Sequence, residues 1–187
     1  LNGWVVSGGE IAESVAAHAD AVLTAYTADP ELVEEHAGQE TEARTGGYGR
    51  RQIFELVQNG ADQLQAGAGR LQVVVTDSGL YCANGGRPFS PAGLSSILHA
   101  YLSRKDDRQI GRFGLGFKSV LGVTSRPTVL SRSGSFQFSP EIAARIREAV
   151  PEAEEVPLLR IAAPLDPEAY LEGDPVAAEL ADWASTV

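Results

Sequence analysis

The chain has 187 residues, is 43% hydrophobic, and carries 25 Asp and Glu against 15 Lys and Arg for a net charge of −10. That apolar content suffices for one ordinary domain with a sizeable core. A single Cys82 and no apolar run approaching the roughly 18 residues of a membrane span exclude disulfide frameworks and spanning helices, so an intracellular, cytoplasmic setting is expected.

The charge is unevenly placed. Residues 1–45 hold 9 acidic and 1 basic side chain, residues 46–140 hold 5 and 11, and residues 141–187 hold 11 and 3. Overall acidity argues against nucleic acid as the main partner, whereas a basic centre suits a compact anion. Acidic helices flanking a basic sheet by chance would give the same pattern. The absence of Met and the start at Leu1 lead us to expect a piece of a longer protein.

In chain order, residues 8–27 and 30–43 read as helices, the second opening on Asp29-Pro30, a cap with proline in the first turn. GGYG at 46–49 is a break. RRQIFELVQNGADQLQ at 50–65 is the strongest helix pattern, with Ile53, Val57 and Leu64 on one face, flanked by Phe54, Leu56 and Ala61; that face is expected to be core. Glu55, Asn59 and Asp62 fall on the opposite stripe. They read either as a solvated face or as chemistry: an Asn oxygen is a competent hard ligand for magnesium, and a Glu one turn away can orient or deprotonate water.

LQVVVT-DSG-LYCAN is a β-hairpin, with Asp77 at its tip as turn chemistry. Pro91 opens a short helix to about Ala100, and the polar segment 102–110 carries five charges in nine residues. IGRFGLGFKS follows at 110–119. It lacks the glycine before the Lys-Ser pair that a Walker loop needs and reverses the dinucleotide order, so neither fingerprint fits. A glycine turn running into an apolar helix (114–122) can still offer backbone N–H groups to an anion, plain loop flexibility being the alternative. A second hairpin is expected around Ser133-Gly134, a helix over 139–150 capped by Ser139, a strand at PLLRIAAP, and a helix near 174–184. Helices and antiparallel hairpins without β-α-β alternation indicate an α+β fold, with helices on one face of a mostly antiparallel sheet.

ELVQNGAD resembles the N box, E-x-x-x-N-x-x-D, of the GHKL ATPases. LQVVVTDSGLYCANGGRPFS resembles the strand, turn and strand leading into their D-x-G-x-G box, IGRFGLGFKS their second glycine box, and 102–110 their ATP lid. Within that superfamily, GGYGRRQIFELVQNGAD, NGGRPFS, FGLGFKSV and PTVLSRSGSFQFSPE are most similar to sacsin-like, chaperone-like N-terminal ATPase domains.

The resemblance implies a Bergerat fold, a two-layer sandwich over a mixed sheet. It implies one ATP-binding domain, with residues 1–45 a helical lead-in and 46–187 a nucleotide-binding core cut short at its C-terminal strand. Glu55 would then be the general base or water-orienting carboxylate, Asn59 the magnesium ligand, and Asp62 a lining residue near sugar or adenine. Gly111, Gly114 and Gly116, with the amides of Phe113, Leu115 and Phe117, would meet the phosphates. Lys105 and Lys118 would be charge partners, a plain interface or surface role being the alternative for Lys118, and Thr186 would support adenine recognition.

Asn84, with Gly86 two positions on, stands where most of the superfamily has an Asp that accepts the adenine amine. The implied activity is magnesium-dependent ATP hydrolysis coupled to conformational change in the remainder of a larger chain, with ATP and Mg2+ as ligands and nucleotide-dependent dimerisation as found among relatives. A scaffold or interaction module that binds ATP and scarcely hydrolyses it is the alternative. His18, His36 and His99 show no paired ligand spacing, Trp4 and Trp183 read as packing anchors, and Cys82 reads as a small buried hydrophobe.

Overall fold

The computed structural model describes residues 3–45, 52–64, 69–98 and 115–187. Two long helices, α1 (Gly9–Ala28) and α2 (Glu31–Thr45), precede α3 (Gln52–Gln63). The expected first hairpin is present as β1 (Leu71–Val75) and β2 (Leu80–Asn84), paired antiparallel with Val73 opposite Cys82. Next come α4 (Pro91–Leu98) and α5 (Leu115–Lys118), the latter tightening into a 3-10 turn over Ser119–Gly122 where one continuous helix was expected. The second hairpin is β3 (Thr128–Val129) and β4 (Ser135–Gln137), with β5 (Ala163–Leu165) antiparallel on the far side of β4. α6 (Pro140–Ala149), α7 (Pro167–Gly173) and α8 (Pro175–Ala181) complete the chain.

One local device starts four of these helices. Ser90-Pro91, Ser139-Pro140, Asp166-Pro167 and Asp174-Pro175 each place a side-chain acceptor before a proline that needs no hydrogen-bond partner for its nitrogen. The four oxygens accept from the backbone N–H of Gly93 (3.1 Å), Ile142 (3.2 Å), Glu168 (2.9 Å) and Ala177 (3.0 Å). Asp166-Pro167 marks α7, which the sequence reading missed. PLLRIAAP is largely irregular; only its end joins β5.

The two small sheets are joined by the last residues of the chain. Thr186 bridges antiparallel to Asn84 on one side and to Ser131 on the other. Asn84 N–H donates to the Thr186 carbonyl (2.9 Å), and Leu130 and Val187 exchange both backbone bonds (2.8 Å each). The lateral order is therefore β1, β2, residues 185–187, β3, β4, β5.

Side chains alternate across β2, so Cys82 and Asn84 face α3 while Tyr81 and Ala83 face α8. On the first side Ile11 and Val15 of α1 pack with Leu94, Val129, Phe136 and Phe138. Leu180 and Ala184 cover Ala83 on the second side, and Trp4, Leu171 and Ala177 gather around Leu130. Helices thus cover both faces of these strands, which corrects the expectation of helices on one face only: both sides are apolar and each needs cover. α1 also contributes Ala19 and Tyr26 to a second cluster with Val33, Ile146 and Ile161. His18 and His36 each meet a partner, His18 Nε2 the Arg160 carbonyl (3.2 Å) and His36 Nδ1 the Tyr26 hydroxyl (2.7 Å).

The expected core face of α3 is also corrected. Ile53 is 47% exposed and Phe54 77%, whereas Gln52 and Gly60 are buried and Leu56 packs against the main core. At 100° per residue the inward positions Gln52, Leu56 and Gly60 centre about 80° from the stripe read from apolar periodicity. The cause is glycine. An added Cβ at Gly60 would sit 2.7 Å from Leu71 Cδ1, and at Gly86 only 2.3 Å from the Gln63 carbonyl oxygen. Both contacts set the backbone of α3 directly against the hairpin, and Arg87 N–H seals the second by donating to that Gln63 carbonyl (3.0 Å).

Since backbone blocks a side chain at Gly86, Gly86→Ala is expected to destabilise the fold by about 1–3 kcal/mol, read from the urea midpoint; an unchanged midpoint would contradict the close approach. A second prediction concerns pH. Burial, then the Arg160 and Lys118 charges, pull His36 down to about 4. Between about 4 and the ordinary 6.5 the unfolded chain holds the extra proton, so this group's contribution to stability is lost as pH falls through that window. Burial raises Glu40 and works in the opposite sense, so the comparison is with His36→Phe: wild type should lose more of its melting temperature than the variant between pH 6.5 and 4.

Candidate functional site

A cavity of about 840 Å3 opens between α3, β2, α5 and the closing residues of the chain. Asn59, Gly60 and Gln63 of α3, Asn84 of β2, Phe117 of α5 and Thr186 all line it. The rotation of α3 decides this: with Gly60 against the hairpin, its neighbour Asn59 turns to the cavity and not to solvent.

Asn84 is 6% exposed, and its Oδ1 accepts from Gly86 N–H (3.2 Å). An N–H can meet only the carbonyl end of a carboxamide, so the orientation of Asn84 is fixed with Nδ2 turned the other way. Gly86 itself is not on the lining; it has a packing and orienting role. Thr186 Oγ1 lies 3.1 Å from Ser131 Oγ. That serine is fully buried and is the hub of the site's floor: it accepts from Phe89 N–H (2.9 Å) and donates to the Ser185 carbonyl (3.2 Å). Ser133 Oγ donates to the Phe89 carbonyl (2.5 Å). Loop 85–90, the second hairpin and the closing strand are tied together through hydroxyls.

Glu55 is half-buried one turn before Asn59, and Asp62 is exposed; neither is among the residues lining the cavity. Of the N-box stripe, then, Asn59 alone is brought to the cavity with Asn84 and Thr186. Leu115 and Gly116 form the first turn of α5, and Phe117 presents its ring to the cavity's edge. Lys105, Gly111, Phe113 and Gly114 lie outside the described residues, as do residues 102–110 as a whole and His99.

Lys118 is redirected. It is 3% exposed and turned toward the α2 side, where Glu40 and Arg160 act on it; burial first, and then the Arg160 charge, pull its ammonium down to about 6 against the opposing pull of Glu40. The Glu40 carboxylate accepts from the backbone N–H groups of Leu158 (2.6 Å) and Leu159 (2.9 Å). Lys118 is not among the residues lining the cavity. Asp77, at the tip of the hairpin, is exposed and also reaches the cavity's rim.

The sequence reading missed Ser131, Gln63 and Phe89. Ser131 sits in SRSGS and was absorbed into the turn signal; the density of hydroxyls there was the available clue. Gln63 and Phe89 depend on the rotation of α3 and the path of loop 85–90, which apolar periodicity does not encode.

Among the described residues no three His, Cys, Asp or Glu side chains cluster as a metal cage. Asn59 offers one neutral oxygen, which fits magnesium carried largely by a ligand's own phosphates and water rather than by protein.

Ser131→Ala would leave the Phe89 N–H and the Thr186 hydroxyl without their partner in a buried place. The expected cost is about 1–3 kcal/mol in urea unfolding, and Ser131→Thr should recover part of it. Equal midpoints for wild type and Ser131→Ala would mean that the hub is dispensable.

No family model matches the chain, and no curated protein or solved structure matches it either, so the chemistry of the site has to be argued from its own side chains.

Proposed function

We propose that this domain is a Bergerat-type module that binds a magnesium complex of ATP in the cavity between α3 and β2 and uses it to drive conformational change in a larger, chaperone-like protein. The observation that carries this reading is the convergence of Asn59, Asn84 and Thr186 on one cavity. They come from three separate stretches of sequence, and each would have a distinct task. Asn59 supplies an oxygen to the metal, Asn84 offers a carboxamide edge to the base, and Thr186 closes the floor beside it. A cavity of about 840 Å3 falls within the size usual for cofactor sites.

When bound, the metal neutralises charge on the transferring phosphoryl group; the chain's own part is to position and to exclude water. Phe117 and Val120 supply an apolar wall. Glu55, one turn from Asn59, would orient a water and accept its proton.

The position of Glu55 favours a second reading beside the first. It lies off the cavity's described lining, and a carboxylate held away from the ligand leaves a module that binds ATP as a clamp and turns it over scarcely at all.

Titration calorimetry with ATP and magnesium tests the binding claim. Asn59→Ala and Asn84→Leu should each lower affinity about tenfold or more, since the first removes the metal's protein oxygen and the second a buried partner of the base, and equal affinities would sink the assignment. Phosphate release then separates the two readings: Glu55→Ala abolishes turnover in the hydrolase and changes nothing in the clamp.

A further inference from the structure

Of the four large apolar side chains that stand exposed among the described residues, three lie on the outer side of the first hairpin: Ile53 (47%) and Phe54 (77%) on α3 and Val75 (69%) on β1. The apolar stripe that periodicity reads as core lies here too. At 100° per residue Ile53, Val57 and Leu64 fall on one side of the Gly60 line and Asn59 on the other. Asn59 takes the cavity side, so the stripe takes the side of β1. Leu64 bears this out: a Cβ added at Gly69, the second residue before β1, would sit 2.5 Å from its Cδ2.

β1 is an edge strand, paired to β2 alone among the described residues. Gly85 N–H donates to the Arg70 carbonyl and Thr76 N–H to the Gly79 carbonyl (2.9 Å each), so the even-numbered residues of this strand bond to β2. Leu71, Val73 and Val75 aim their N–H and C=O groups outward. Native edges are usually blunted by lysine, proline or a bulge. LQVVV contains neither residue, and it pairs one to one with β2 without a bulge.

We propose that this edge and the flank of α3 above it form an interface with a second copy of the chain, the two β1 strands pairing antiparallel about a two-fold axis at Val73. Val73 then faces its counterpart and Leu71 faces the partner's Val75, so every outward residue is paired reciprocally. Charges match in the same register. Arg70 falls opposite the partner's Thr76 and next to the partner's Asp77, so a cation meets an anion at each end of the joined strands. The Arg70 guanidinium is held in place for this, 4.2 Å from the centre of the Trp183 ring and donating to Gln72 Oε1 (2.6 Å), and Asp77 is exposed.

The helices match under the same axis. α3 lies over both strands of the hairpin, so joining two edges sets the two helices about 10 Å apart, the distance of packed helices. Gly60 lies beside Leu71 and Leu64 beside Gly69, so α3 and β1 run in opposite directions. From Leu71 to Val73 is about 7 Å, or roughly four to five residues of helix back from Gly60, which brings Ile53, Phe54 and Val57 of each copy to the axis. A second copy is the occupant because strand, flank and charges are all self-complementary about one axis, a condition that a foreign partner has no need to meet. Val75 and Asp77 also reach the cavity's rim, but Asn59, Asn84 and Thr186 take no part. The pairing therefore forms without nucleotide, and failure of ATP binding leaves it standing.

Sedimentation of the nucleotide-free protein across a dilution series tests it. The mass should rise with concentration from 19.8 kDa to twice that value. Val73→Pro keeps the bonds to β2, because the Val73 N–H points outward, and should raise the dissociation constant about tenfold or more; Phe54→Ser should do so through the flank. Asp77→Arg sets like charges together and should weaken pairing, and adding Arg70→Asp should restore it. Urea midpoints measured where the wild type is monomeric separate loss of pairing from loss of fold. Amide exchange at Leu71, Val73 and Val75 should slow as concentration rises, while Gln72 and Val74, already bonded to β2, stay constant. A wild type that keeps the mass of one chain up to about 0.1 mM overturns the interface. So does a dimer that is indifferent to both Val73→Pro and Phe54→Ser, or one that forms only with ATP.

Discussion

The backbone bonds between Asn84 and residues 185 and 186 are the constraint on which the rest depends. They are the place where the first hairpin meets the remainder of the sheet, and only three residues from the end of the chain hold it. Through them Asn84 is fixed as a strand residue with its carboxamide toward α3, Thr186 is brought beside it, and Ser131 completes a buried group of hydroxyls beneath both. A contact between residues about 100 positions apart closes late in folding, because the loop entropy must be overcome before the pairing returns anything. The hairpin and α3 can form locally, but the cavity exists only once the two halves have joined.

The glycine-loop side is held by a different force. Glu40, Lys118 and Arg160 are each almost fully buried, and they sit where α2, the end of α5 and the segment after α6 converge. Taking such charges out of water is costly, and the shifts show it: burial lowers Lys118 and Arg160 and raises Glu40. Two backbone N–H groups offset part of that cost at Glu40. A cluster of this kind specifies geometry more than it adds stability. It ties α5 and the 3-10 turn behind it to α2.

How much of this was legible in the sequence varies with the kind of signal. Helix starts are legible wherever Ser or Asp precedes proline, because capping is local and chemical; Asp166-Pro167 carries that same signal for α7, between the strand expected at PLLRIAAP and the helix expected near 174–184. Both hairpins were legible from alternation. The orientation of α3 was not. Ile53 and Val57 form a good apolar stripe by periodicity, but the helix is placed by the absence of side chains at Gly60 and Gly86, and a close approach between backbones leaves no trace in hydropathy. Asn59, Asn84 and Thr186 were found by motif and brought together by that same placement. For Lys118 the two alternatives stay open in the sequence because position after a glycine box indicates proximity to the box, not the direction of a side chain.

On the nucleotide reading, the bond from Gly86 N–H to Asn84 bears on the choice of base. A free carboxamide can present its oxygen or its nitrogen on either side and so complements adenine in one orientation and guanine in the other. Adenine offers an amine donor beside a ring acceptor; guanine offers a carbonyl acceptor beside a ring N–H. Flipping Asn84 to meet the second pattern would turn Nδ2 toward the Gly86 N–H, donor against donor, in a place that is 94% shielded from water by the burial of the residue to 6% exposure. Losing that bond and facing two donors costs on the order of 1–3 kcal/mol, roughly a ten- to hundredfold discrimination. An aspartate here would gain symmetry, having no donor to misplace, and would lose this lock. The selectivity of the site for one base then resides less in Asn84 itself than in the glycine amide that holds it, and that amide is positioned by the same contact with Gln63 that turns Asn59 into the cavity.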